Sequence, residues 1–173
     1  RLRPVPVDYR QGDGVGHGTH LAGTIAGAGP PAAGITSQYS GGIAPGAKLV
    51  NVRVLGSDGT GWTSDVIAGI EWAISNRDHY NIRIINLSLG HPVFEPSATD
   101  PLDQAVFKAA SSGIVVIASA GNAGKTADGG AILGGITSPG NAPYAITAGA
   151  LTNRDPAPRA QPVRGTPHPR PRA

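Results

Sequence analysis

The sequence predicts an α/β fold of three layers, α/β/α, with a mostly parallel sheet, on three observations. Short apolar runs rich in β-branched residues alternate with segments of helical period along the chain. Those runs are apolar almost throughout rather than at every second residue, as in strands covered on both faces. Each is followed by a glycine-rich turn and a fresh helix, the order that builds parallel strands with crossover connections. In such sheets ligands gather at the carboxyl ends of the strands.

The elements follow in order. GDGVGHGTH (12–20) is a glycine-dense run leading into LAGTIAGA, a helix of small residues able to pack closely. A Gly/Pro/Ser-rich loop covers 28–46. AKLVNVRVL (47–55) reads as a strand and GSDGTG (56–61) as a turn. Residues 63–76 set Val66, Ile67, Ile70, Ala73 and Ile74 at helical spacing, with Thr63 or Ser64 as the N-cap. RIINLSL (83–89) is a strand. Thr99 and Pro101 open a helix that runs to about Ser112, with Leu102, Ala105, Val106 and Ala109 on its apolar face. GIVVIASA (113–120) and YAITAGA (144–150) are the remaining strands.

The 173 residues include no Cys, which rules out disulfides, a thiol nucleophile and Cys-ligated zinc. The formal charge is +3, yet residues 154–173 carry five Arg against one Asp, a net of +4, which leaves the other 153 residues at −1. The basic character therefore belongs to a tail and argues for no nucleic-acid partner. No apolar run is long enough for a membrane span, and Arg1 to Asp8 has no apolar core of the kind a signal peptide needs.

Four strings carry chemistry. GHGTH sets His17 at the mouth of a helix, where its near-neutral pKa suits it to general-base work, and Gly16 and Gly18 allow the backbone to fold tightly. His17 and His20 lack the nearby carboxylate that a helical metal pair uses. ASAGN ends a buried strand in a Gly-Asn turn, so that the Asn122 amide can donate a hydrogen bond at the sheet end, as in an oxyanion hole. NLSLG (86–90) and LGSDGTG (55–61) are strand ends with backbone groups that an extended peptide can pair with.

In this order and spacing GHGTHLAG, GIAPGAKL, VRVLGSDGTG, IAGIEWAI, INLSLG and ASAGN resemble the subtilisin-like serine proteases, or subtilases, over roughly residues 12–153. The resemblance implies that His17 is the catalytic histidine, His20 a structural one, and Asn122 the oxyanion donor. It implies that Ser88, Leu89 and Gly90 pair with substrate backbone on one side and Gly59, Thr60 and Gly61 on the other. Leu55 and Val66 would line an apolar pocket, and Ala118, Ser119, Ala120 and Gly121 one wall of the pocket for the residue before the scissile bond. Leu21 stands where the family usually has Val, and His91 where Gly is common. The partners implied are extended polypeptide substrates, with no nucleic acid and no membrane, and the setting is extracellular. No cofactor takes part in the chemistry; structural calcium is implied by resemblance alone.

The family's Asp–His–Ser order is incomplete in these residues, and the fold is expected to be incomplete at both ends. Asp8 and Asp13 precede His17 by nine and four residues, outside the family's aspartate motif, and no GTSMAAP-type serine motif occurs. Ser138, in ITSPGN, matches a structural segment instead. The domain reading is a partial peptidase domain over 1–153 and a Pro/Arg-rich tail over 154–173, disordered by composition or the product of a frameshift near Asp155. Two other readings are a non-catalytic peptide-binding module and, from ASAGNAGKT, a P-loop NTPase. The last fails at Ser119, where the phosphate loop needs Gly.

Overall fold

A computed structural model describes residues 13–27 and 41–150. The chain divides into two compact units, Arg1–Arg83 and Ile84–Ala173. The expected boundary at 153/154, Asp8, and most of the loop at 28–46 lie outside the described residues.

In the first unit α1 spans His17–Ala26, α2 Thr63–Ser75 and α3 Arg77–Tyr80. Helix α2 buries Val66, Ile70 and Ala73 of the predicted stripe, together with Gly69, while Ile67 and Ile74 are half-buried. Its cap is Trp62 rather than Thr63 or Ser64. The Trp62 carbonyl takes the amides of Asp65 and Val66, and no side chain caps the helix. The short α3 stops at Asn81, whose φ of 53° is left-handed.

The strand expected at 47–55 is not formed. Half-buried Val52 and Val54 alternate with exposed Asn51 and Arg53, as in an extended chain, and no backbone ladder pairs the segment among the described residues. Apolar period alone makes the chain extended; a strand also needs a neighbour to pair with. Here the two valines pack instead on α2, close enough that a methyl group at Gly69 would lie 2.6 Å from Val54 Cγ1.

The second unit holds β1 (Ile84–Leu87), α4 (Pro101–Ser111), β2 (Val115–Ser119) and β3 (Ala145–Ala148). The strands form a parallel sheet in the order β1-β2-β3. Leu102, Ala105, Val106 and Ala109 of α4 are buried with Leu87, Val116 and Ala118 of the sheet. On the other face of the sheet Ile84, Val115 and Ile146 remain exposed.

Asp100, not Thr99, caps α4. Its Oδ1 accepts from the amides of Leu102 at 2.8 Å and Asp103 at 3.2 Å, with Pro101 at the first helical position. At the other end Gly113 turns left-handed at φ 79°, and the Ile114 amide reaches back to the Ala109 carbonyl at 3.1 Å. That closing motif feeds the chain straight into β2. Replacing Asp100 by Ala removes a buried cap and should lower stability by about 1–2 kcal/mol, read as a lower urea midpoint with unchanged slope; an unchanged midpoint would show that the cap carries no stability.

Candidate functional site

His17 is the first residue of α1 and is exposed. Its position depends on the residues just before it. Gly16 sits at φ 80°, a conformation costly for any residue with a Cβ. The Asp13 carboxylate spans the turn, with Oδ1 accepting from the Gly16 amide at 2.9 Å and Oδ2 from the Thr19 amide at 2.7 Å. These bonds, that from Thr19 foremost, hold the Asp13 carboxyl below its ordinary range. Sequence reasoning weighed Asp13 only as a candidate partner for the imidazole. Its actual role is to fix the backbone that carries His17. His20, on the next turn, gives its carbonyl to Thr24 Oγ1 at 3.0 Å.

The same unit folds the 56–61 turn against this lead. A methyl group at Gly14 would lie 2.9 Å from the Ser57 carbonyl, and one at Gly59 3.3 Å from Val15 Cγ2. Inside the turn Asp58 accepts from the Thr60 amide at 3.0 Å and from Thr60 Oγ1 at 2.8 Å, and the Thr60 carbonyl takes the Gly56 amide at 2.7 Å. The Thr60 bonds lower the Asp58 pKa, the backbone one most. Thr60 therefore spends both its backbone groups within the turn, and the Gly59 amide donates to the Gly56 carbonyl at 3.1 Å. Leu55 is half-buried beside Gly61 and Val66 is buried in α2. Asp58 was missed from sequence; its signal is the Asp-Gly-Thr turn, where a carboxylate binds the amide two residues on.

The second unit brings Ser88, Leu89 and Gly90 beside Ala118, Ser119, Ala120 and Gly121. Leu87 pairs with Ala118 in the parallel ladder, and Ser119 Oγ donates to the Leu89 carbonyl at 3.4 Å. Asn86 Nδ2 donates to Ser88 Oγ at 2.9 Å. Both segments converge on Thr137. A methyl group at Gly90 would lie 2.8 Å from Thr137 Oγ1, and one at Gly121 2.6 Å from the same atom. Thr137 Oγ1 is buried and has no hydrogen-bond partner among the described residues. This hydroxyl lies at the junction of two segments singled out from sequence, though Thr137 itself was not among them.

Gly121, at φ 87°, turns the chain out of the sheet, and Asn122 lies exposed just beyond it. The residues that follow form a turn closed by the Lys125–Ala131 bridge, with Thr126 Oγ1 donating to Asp128. No helix starts at Thr126, so the phosphate-loop reading fails on structure as well as on Ser119. His91 is joined to Ser138 by a reciprocal pair of backbone bonds at 2.9 and 3.0 Å, and its ring stacks on Phe94 with centroids 5.6 Å apart. Ser138 is wholly buried and donates to Asp103 Oδ1 at 3.0 Å, a structural role. Among the described residues no three His, Cys, Asp or Glu side chains gather as a metal ion needs. No helix among them is long and apolar enough to cross a membrane.

Comparison with known proteins places these features in a wider set. The Subtilase family matches residues 6–167, a span running past residue 153 into the Pro/Arg-rich segment. Subtilisin BL of Lederbergia lenta is 48% identical over 120 residues, covering 69% of this chain and 39% of that protein. Subtilisin Savinase of the same organism is 42% identical over 146 residues, 84% of this chain and 46% of the other. Among solved structures, Sphericase superposes with a TM-score of 0.66 at 32% identity, over 88% of this chain and 44% of that one. The chain thus spans less than half the length of the relatives it matches.

The lowered Asp13 and Asp58 carboxyls set a pH test. Each is ionised more readily folded than unfolded, so its bonds are fully present above the ordinary value of 3.8 and are lost as pH falls through the lowered folded value. Hydrogen exchange at the Thr19 and Thr60 amides should be slow at neutral pH and quicken relative to intrinsic rates only under acid conditions. Asp13→Asn and Asp58→Asn should each speed exchange of its own amide at neutral pH; an unchanged rate in either would remove that carboxylate from its role.

Proposed function

The chain belongs to the subtilase family, and we propose that it supplies the general base and the oxyanion donor of a serine endopeptidase acting on extended polypeptides. The reading is carried by His17, exposed at the first position of α1 on a backbone that Asp13 holds in place. By the resemblance, substrate backbone pairs with Ser88, Leu89 and Gly90 and with Gly59, Thr60 and Gly61. The side chain before the scissile bond enters between Ser88–Gly90 and Ala118–Gly121, with Thr137 Oγ1 at its floor, while Leu55 and Val66 receive a side chain further along. The resemblance also carries an extracellular setting.

The chemistry is acyl transfer. A serine oxygen attacks the peptide carbonyl as His17 takes its proton, and His17 returns that proton to the leaving amine. The carbonyl oxygen gains negative charge in this step, and the Asn122 side-chain N–H donates to it. Both His17 and Asn122 are exposed. No residue of these 173 sits in the family's serine or aspartate motif.

By itself the 173-residue chain should leave a chromogenic peptide uncut and take up no fluorophosphonate. Mixed with a polypeptide bearing the family's aspartate and serine motifs, it should hydrolyse the peptide. In that mixture His17→Ala should abolish turnover, and Asn122→Ala should lower it by about 10²–10³, the loss a missing oxyanion donor causes in subtilisin itself. A fluorophosphonate adduct on the chain alone would contradict the assignment. Peptide binding without cleavage in the mixture would make the chain a binding module instead.

A further inference from the structure

Trp62 directly follows Gly61, the end of the edge at 59–61, and is 78% exposed. As the N-cap of α2 it holds a place where Ser, Thr, Asn or Asp would add a side-chain bond, and it adds none. Trp72 of the same unit pairs with Tyr80, with ring centroids 5.6 Å apart, whereas no ring pairs with Trp62 among the described residues. Its large apolar surface is left in water, where burial elsewhere would stabilise the fold. Neither packing nor capping accounts for a tryptophan at this position.

The backbone that carries the ring is fixed. The Trp62 carbonyl accepts the Asp65 and Val66 amides at 3.0 and 3.3 Å, and φ −93° with ψ 142° keeps the residue extended. A methyl group at Gly61 would lie 2.8 Å from Leu55 Cδ2, so Gly61 faces Leu55, while the next residue carries its ring away into solvent. A peptide laid along 59–61 alternates in the same way. If one of its side chains meets Leu55, the neighbours of that residue are directed to the side of Trp62.

The surrounding charge selects among side chains. Asp58 and Asp65 lie four residues before Trp62 and three after, and both are exposed. Among the described residues Asp65 makes no ion pair. Carboxylates near an exposed indole favour a cation on its face, and of the aromatic side chains tryptophan attracts cations most strongly. A guanidinium is planar, weakly hydrated and stacks on such a face better than an ammonium.

We propose that Trp62 is a specificity-determining residue of the 59–61 edge, stacking on an arginine side chain of the peptide beside the residue that meets Leu55. This rests on the pairing of substrate with that edge.

The test is titration of the 173-residue chain with Ac-Thr-X-Leu-X-Thr-NH2, X being Arg, citrulline, Phe or Ala. NMR follows the Gly61 amide and the Trp62 indole N–H, the latter identified by its loss in Trp62→Leu. The arginine peptide should shift both signals and bind about two- to fivefold more tightly than the alanine peptide. Citrulline, planar but neutral, should bind more weakly than arginine. Trp62→Leu should bring the arginine peptide down to the affinity of the alanine peptide. Equal affinities for arginine and alanine, citrulline or phenylalanine binding as tightly as arginine, or an arginine advantage that survives Trp62→Leu would overturn the role of Trp62 and leave the edge a peptide site. No shift of Gly61 with any of the four peptides would overturn the pairing itself, and the proposal with it.

Discussion

The buried hydrogen bond from Ser138 to Asp103 joins residues 35 apart in sequence, and the second unit is organised around it. Asp103 lies in the first turn of α4, directly after the Asp100 cap, so the bond fixes Ser138 to the helix that covers the sheet. Ser138 in turn exchanges two backbone bonds with His91, and Thr137 gives its amide to the Ala120 carbonyl at 3.2 Å. One two-residue segment therefore holds the loop after β1, the loop after β2 and the start of α4. Replacing the hydroxyl would strand a buried carboxylate, the most costly kind of unmade bond. The convergence of Ser88–Gly90 and Ala118–Gly121 follows from this arrangement.

The first unit reaches its order differently, through exposed carboxylates that bind backbone amides. Asp13 spans the lead into α1 and Asp58 closes the turn at 56–61. Each bond is solvent-exposed and contributes modestly to stability. What each does is select one backbone conformation where glycines would otherwise permit many. The glycines allow Gly14 and Gly59 to approach Ser57 and Val15 closely, and the carboxylates then restrict that freedom. Precision at His17 and at Gly59–Gly61 comes from this pairing of permissive and restrictive residues.

Much of the fold was legible because its signals are periodic. The stripe Leu102, Ala105, Val106 and Ala109 and the apolar runs of β1, β2 and β3 fell where expected, since burial repeats at the period of each element. The segment 47–55 carried an equally strong signal and formed no strand, because pairing depends on a neighbour that its own sequence does not encode. Caps were less legible. Thr99, Thr63 and Ser64 are good capping types, yet Asp100 and the bare carbonyl of Trp62 took those places. Of the candidate site, the glycine-framed strings carried enough local chemistry to be singled out. Thr137 did not: it is a single polar residue in a Gly/Pro-rich stretch, and its importance arises from contacts with Gly90 and Gly121, 47 and 16 residues away.

The described carboxylates bear on the triad. An aspartate that orients the imidazole must give an oxygen to a ring nitrogen. Asp13 lies nearest His17 in sequence, but its two oxygens are taken by the Gly16 and Thr19 amides. Asp58 is bound to Thr60, Asp78 to Arg77, Asp100 to the amides of α4 and Asp128 to Thr126. Asp103 is bonded to Ser138. Asp13 therefore acts on His17 through the backbone, setting where the side chain begins.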